Sequence, residues 1–134
     1  MSIEPGLVGE LTHQVAMEDT AAVSWGERLP PVLSTPRIIG WMETAAHNAL
    51  IKNLDSTQTS VGVAINVRHL AATPVGMEVR IRAELLEVKG RRLRFRVEAW
   101  DPVEKIAEGE IERAVIDWAA FTDRVNKKRG LSEK

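Results

Sequence analysis

Residue types that serve acid–base and nucleophilic chemistry stand in unusual company in this 134-residue chain. Glu43 lies in 34-STPRIIGWMETAAHNALIKNL-54, where its neighbours three and four positions away are Ile39, Gly40, Ala46 and His47. A carboxylate moved from water into such a setting incurs a desolvation penalty unless something compensates. It is either an acid at the edge of the apolar arc, exposed or paired with His47, or a desolvated carboxylate available as nucleophile or general base. His69 closes 61-VGVAINVRH-69, in which Val61, Val63, Ile65 and Val67 alternate as one apolar face before an imidazole takes the next place. That histidine is either a core residue bonded to a nearby carbonyl or a proton-transfer group. Ser34 and Thr35 open the Glu43 segment. A hydroxyl there caps a helix, or works beside the positive end of its dipole, where a carbonyl or oxyanion is favourably held. Gly62, among β-branched residues, reads as close packing or as a place where a ligand approaches backbone.

Other chemistries are removed by composition. The absence of cysteine excludes thiolate nucleophiles, disulfides and thiolate metal sites. His13, His47 and His69 do not have metalloprotease spacing, since 43-ETAAH-47 offers one acid and one histidine. The glycines are scattered and form no phosphate loop. A net charge of −1 supplies no field for a polyanion, so no nucleic-acid partner is expected. With no long uncharged apolar run and no basic-plus-apolar leader, the expectation is a soluble cytoplasmic protein without a membrane partner.

The elements that must position these residues follow from periodicity. The chain is long enough for one domain, 1–134, burying about 68% of its unfolded surface. A first strand is expected over 7–17, then an irregular connector over 18–33 containing Pro30 and Pro31. The segment 34–54 reads as a helix capped by Thr35, with Pro36 at its first position and Ser34 as rival cap. Its apolar residues cover most of the cylinder, as a buried helix requires. Four strands follow, at about 59–69, 77–88, 91–101 and 104–117. A three-residue loop centred on Gly90 pairs residues whose numbers sum to 180, which sets Arg82 opposite Glu98 and Leu85 opposite Phe95. In the next hairpin Arg92, Arg94 and Arg96 lie across from Glu108, Glu110 and Glu112, as a solvated charge lattice. Over 118–129, Trp118, Phe121 and Val125 share one helical stripe. One antiparallel sheet curled around one apolar helix buries both most simply, which is the α+β hotdog arrangement.

The stretches 33-LSTPRIIGWMETAA-46, 59-TSVGVAINVRHLAATPVGM-77 and 88-VKGRRLRFRVEAWDPVEKIAEGEIERAVID-117 together resemble the thioesterase-like hotdog proteins related to fluoroacetyl-CoA thioesterase. The resemblance implies that Thr35, Glu43 and His69 form the catalytic group. It further implies that the Gly62 backbone helps to hold the carbonyl oxygen; Ser34, the rival hydroxyl, and Arg113 are the other residues expected to face the substrate. The implied reaction is hydrolysis of a short or small acyl-CoA thioester to acid and CoA, without metal or other cofactor. The implied assembly is a homodimer with pockets at its interface, or a dimer of dimers. One departure stands out. Relatives often carry a Gly-x-His-x-Arg pattern in the last strand, whereas 109-GEIER-113 has Ile111, so the acyl group need not be shared. A non-catalytic acyl-CoA-binding module and a hotdog enoyl-CoA hydratase or dehydratase are the rival readings, because fold alone fixes no activity.

Overall fold

The computed structural model describes residues 2–26 and 28–130. Its central helix, α2 (Thr35–Leu50), begins at Ser34, whose hydroxyl accepts the Arg37 N–H at 3.3 Å. Ser34 is the extended residue at the boundary and Thr35 is already helical, so the cap lies one residue before the expected one. That shift leaves the Thr35 hydroxyl free for other work. The helix buries Ile38, Trp41, Met42, Ala45, Ala46, Ala49 and Leu50, and it exposes Arg37, Gly40, Thr44 and Asn48. It ends earlier than residue 54, in a tight turn over Ile51–Asn53.

Around this helix runs a five-stranded antiparallel sheet of β1 (Val8–Gln14), β2 (Gln58–His69), β3 (Glu78–Lys89), β4 (Arg92–Trp100) and β5 (Lys105–Asp117), in the order β1-β3-β4-β5-β2. Ile81, Ala83, Leu85, Leu93, Phe95, Val97 and Ile111 from the sheet join the helix residues in one core. This is the hotdog fold expected from element order. Helix and sheet come into close contact at Gly9, where a Cβ would lie 2.7 Å from the Ala49 nitrogen and strike Ala45 backbone as well.

The connector departs from expectation. It holds a one-turn helix at Met17–Asp19 and a short helix α1 (Ala21–Trp25), tied down by bridges from Thr20 to Leu33 and from Val32 to Pro74. The first strand therefore stops at Gln14. In α3 (Trp118–Arg129) the expected stripe forms but stays largely in water, with Trp118 and Val125 exposed.

Both hairpins carry a lesson about register. Residues 80–85 of β3 do pair by numbers summing to 180, including Arg82 with Glu98 and Leu85 with Phe95. The turn, however, has two residues, Gly90 at φ 61° and Arg91, and a bulge between Leu85 and Glu87 absorbs the difference. Across β4 and β5 the lattice is offset from expectation: Arg94 faces Glu112, Arg96 faces Glu110 and Arg92 faces Ala114. Glu98 then opposes Glu108, and Lys105 bridges both carboxylates at 2.8 and 2.6 Å.

A second bulge matters more. Between Gly62 and Ala64 the pairing of β2 with β5 skips Val63. Directly opposed residues share a face, so Gly62 goes with Arg113, and Ile65, Val67 and His69 go with Ile111, Gly109 and Ala107. All of these face the helix side. The expected single stripe from Val61 through His69 is thus broken at Val63. Strict alternation would have put Gly62 and His69 on opposite faces; the extra residue puts them on one.

Candidate active site

The predicted site residues fall into two clusters on one chain. At the start of α2, the Thr35 hydroxyl lies 2.8 Å from His69 Nδ1, at the end of β2. Ser34 is buried beneath it and its hydroxyl is taken up by the cap. His69 Nε2 is buried and has no hydrogen-bond partner among the described residues, an arrangement that calls for a ligand or water to complete it. Burial draws this imidazole below its usual 6.5, with the Ala71 backbone acting in the opposite sense, so the net effect favours the neutral ring. A cleft of about 370 Å³ opens here, walled by Pro30, Val32, Thr35, His69, Leu70, Ala71 and Ala72. The turn after His69 is pinned by Thr73, whose hydroxyl donates to Asp101 at 3.0 Å and whose carbonyl accepts the Leu33 N–H.

The second cluster lies mid-helix. Glu43 accepts a hydrogen bond on Oε2 from Arg113 Nη1 at 3.0 Å, and its side chain is about a third exposed (32%). It is therefore neither a lone acid in an apolar wall nor a partner of His47; the apolar helix pattern could not reveal a cation arriving from β5. Arg113, expected to face substrate, is buried and turned to the acid. Its Nε donates to the Ser60 hydroxyl at 2.9 Å and its Nη2 to the Ser60 carbonyl at 2.8 Å. Burial draws the guanidinium below the usual arginine range, opposed by Glu43. His47 Nδ1 sits 2.9 Å from the Ser60 hydroxyl. Ser60 is the residue that sequence reading missed. Its signal was its place two before Gly62, on the same face.

Gly62 packs against Glu43 itself: a Cβ there would collide with Oε2. Oε2 is thus held by Arg113 and enclosed by Gly62, while no hydrogen bond from the described residues engages Oε1. Gly62→Ala should fold, because the obstructing group is a side-chain end rather than backbone. It should lose roughly 10- to 100-fold in turnover, since the carboxylate must move from a fixed geometry. Unchanged kcat in Gly62→Ala would mean that the close approach has no role.

The two clusters do not meet within one chain. Thr35 and Glu43 are eight residues apart on α2, about 12 Å along its axis. Gly62 and His69 are separated along β2 by roughly 20 Å.

The hotdog sheet thus carries a Thr–His pair at one end of α2 and an arginine-held carboxylate at its middle. The profile of the fluoroacetyl-CoA-specific thioesterase family, FlK, matches residues 15–119. A fluoroacetyl-CoA thioesterase of Streptantibioticus cattleyicolor is 44% identical over 99 residues, which are 74% of this chain and 71% of that protein. Among solved structures, the fluoroacetyl-CoA thioesterase FlK superposes with a TM-score of 0.89 at 35% identity, covering 96% of this chain and 98% of that one. A variant of it in complex with fluoroacetate and CoA gives 0.84 at 37% identity, covering 89% and 99%. A thioesterase superfamily member from Thermus thermophilus gives 0.88 at 27% identity, covering 98% and 97%. This chain belongs to the fluoroacetyl-CoA-specific thioesterase family.

Proposed function

We propose that the protein is an acyl-CoA thioesterase acting on a small acyl group, with two composite sites in a homodimer. The thioesterase reading rests on family membership together with the Glu43 carboxylate held by Arg113 against Gly62. Overall, water adds to the thioester carbonyl, the C–S bond breaks, and the CoA sulfur leaves as a thiolate that is then protonated. Glu43 Oε1 either attacks the carbonyl or removes a proton from the attacking water. Neutral His69, oriented through Nδ1 by Thr35, offers Nε2 to the reacting groups. Hydrogen-bond donors near Gly62 and the start of α2 would stabilise the oxyanion.

The dimer is supported by the sheet edge. β2 is a terminal strand of twelve residues, and Val63 and Ile65 on it are exposed. Such an edge is a template for pairing with another chain. Antiparallel β2–β2 pairing about a two-fold axis near Ile65 and Asn66 would bring Gly62 of one chain toward His69 of the partner subunit. Each Glu43 cluster then meets a Thr35–His69 cluster. The side chains between them would include Ile65 beside Ile111, an apolar wall suited to a small acyl group.

The test is thiol release from short, branched, halogenated and aryl acyl-CoAs. Saturable hydrolysis of at least one short acyl-CoA is expected; binding without release in every case would favour the acyl-CoA-binding module. The pH profile adds a check. Because the folded pKa of His69 is lowered, the unfolded chain binds a proton between that value and 6.5 that the folded chain does not. Stability therefore rises with pH through this window and is lost as pH falls. The acid limb of kcat/KM assigned to His69 should likewise lie below pH 6.5, since the active ring is the neutral one. A histidine-dependent limb above that value would contradict the role given to the buried imidazole.

A further inference from the structure

We infer that His47 and Ser60 are positioning residues for Glu43, acting through Arg113. This rests on Glu43 being the working acid. An arginine only donates, so the Ser60 hydroxyl must accept from Arg113 Nε, at 2.9 Å. The hydroxyl proton is then available to His47 Nδ1, also at 2.9 Å, when that nitrogen is unprotonated. In the neutral tautomer that carries its proton on Nε2, His47 accepts from Ser60 while Arg113 donates to Ser60, so the three groups form one hydrogen-bonded chain. The Ser60 carbonyl accepts from the other end of the same guanidinium at 2.8 Å. Two hydrogen bonds to Ser60 thus hold the plane of Arg113, and its remaining nitrogen, Nη1, presents a proton to Glu43 Oε2. The buried guanidinium has little freedom to follow a moving carboxylate; the carboxylate takes its place from the guanidinium.

The arrangement makes the site sensitive to the charge of His47. Charged or titratable groups lining the same cleft are Glu43 from α2 and Arg113 from β5; Thr59 and Ser60 from β2 and Thr44 from α2 are uncharged. A proton on Nδ1 turns the acceptor into a donor and places a second cation beside Arg113. Burial, and after it the charge of Arg113, hold the imidazole below its usual 6.5, in the direction of the neutral tautomer that accepts from Ser60. Protonated His47 would no longer accept from Ser60 and, as a second cation beside Arg113, would loosen the clamp.

The experiment compares Ser60→Ala, His47→Leu and His47→Asn, with hydrolysis of acetyl-CoA and fluoroacetyl-CoA followed by thiol release and normalised to folded protein. Ser60→Ala and His47→Leu should lose roughly 10- to 100-fold in kcat with KM changed less than about threefold, as expected when a reacting group is displaced. His47→Asn keeps an acceptor where Nδ1 stood, so it should recover most of that loss. It does not titrate, so its acid limb should show one fewer ionisation than the parent's. Parental kcat in folded His47→Leu, or an acid limb unaltered in His47→Asn, would overturn the inference. If Ser60→Ala fails to fold, the His47 pair still decides, because His47 lies at the half-buried rim. Parental turnover in Glu43→Gln would instead strike at the proposed catalytic group, and so is distinguishable.

Discussion

Glu43→Gln should fold as the parent chain does and lose at least ~100-fold in kcat, the lower range for removal of an acid–base group. Folding should survive because the glutamine carbonyl can still accept from Arg113 Nη1, which leaves the buried guanidinium with a partner. Activity should not survive, because a neutral amide neither attacks a thioester nor takes a proton from water. Glu43→Ala makes a poorer probe. It strands a buried cation as well as removing the acid, so a loss of activity would mix two effects. Thermal unfolding and steady-state turnover on the same Glu43→Gln sample separate them. Near-parental kcat in a folded sample would remove Glu43 from the reaction.

A larger change is expected when inactive chains are mixed. Thr35→Ala and His69→Ala each disable one cluster, and Glu43→Ala disables the other. A heterodimer of Glu43→Ala with either of the first two has one site built wholly of native residues and one doubly damaged. Random reassociation of equal amounts makes half of the dimers mixed, so about a quarter of parental activity should return from almost none. The expectation follows from the separation of the clusters along α2 and β2, which leaves Thr35–His69 and Glu43–Gly62 apart within a chain. Mass measurement must confirm the heterodimers after dissociation and mixing. Their presence without recovered turnover would place the catalytic group inside single chains and defeat the composite site.

Much of the fold was legible in the chain because its signals are local. Pro36 after Ser34-Thr35 marks the helix start within a residue, and the apolar arc from Ile38 to Leu50 marks it as buried. The alternating strands and Gly90 gave the pairing of β3 with β4 over residues 80–85 despite the wrong loop length, since the hydrophobic pattern of both faces constrains register. Thr35, Glu43, Gly62 and His69 were each singled out by composition, position or resemblance. What the sequence by itself determined was therefore the set of elements and the residue types worth watching. Only the tertiary structure decided their partners. Ser34 rather than Thr35 caps α2, because backbone conformation at one residue selects between two adjacent hydroxyls. Arg113 meets Glu43 from seventy positions away, a contact no helical pattern encodes. The bulge at Val63 turns Gly62 and His69 to the same face, because one unpaired residue shifts a period of two by one step, and that step comes from pairing with β5 rather than from any residue type in β2.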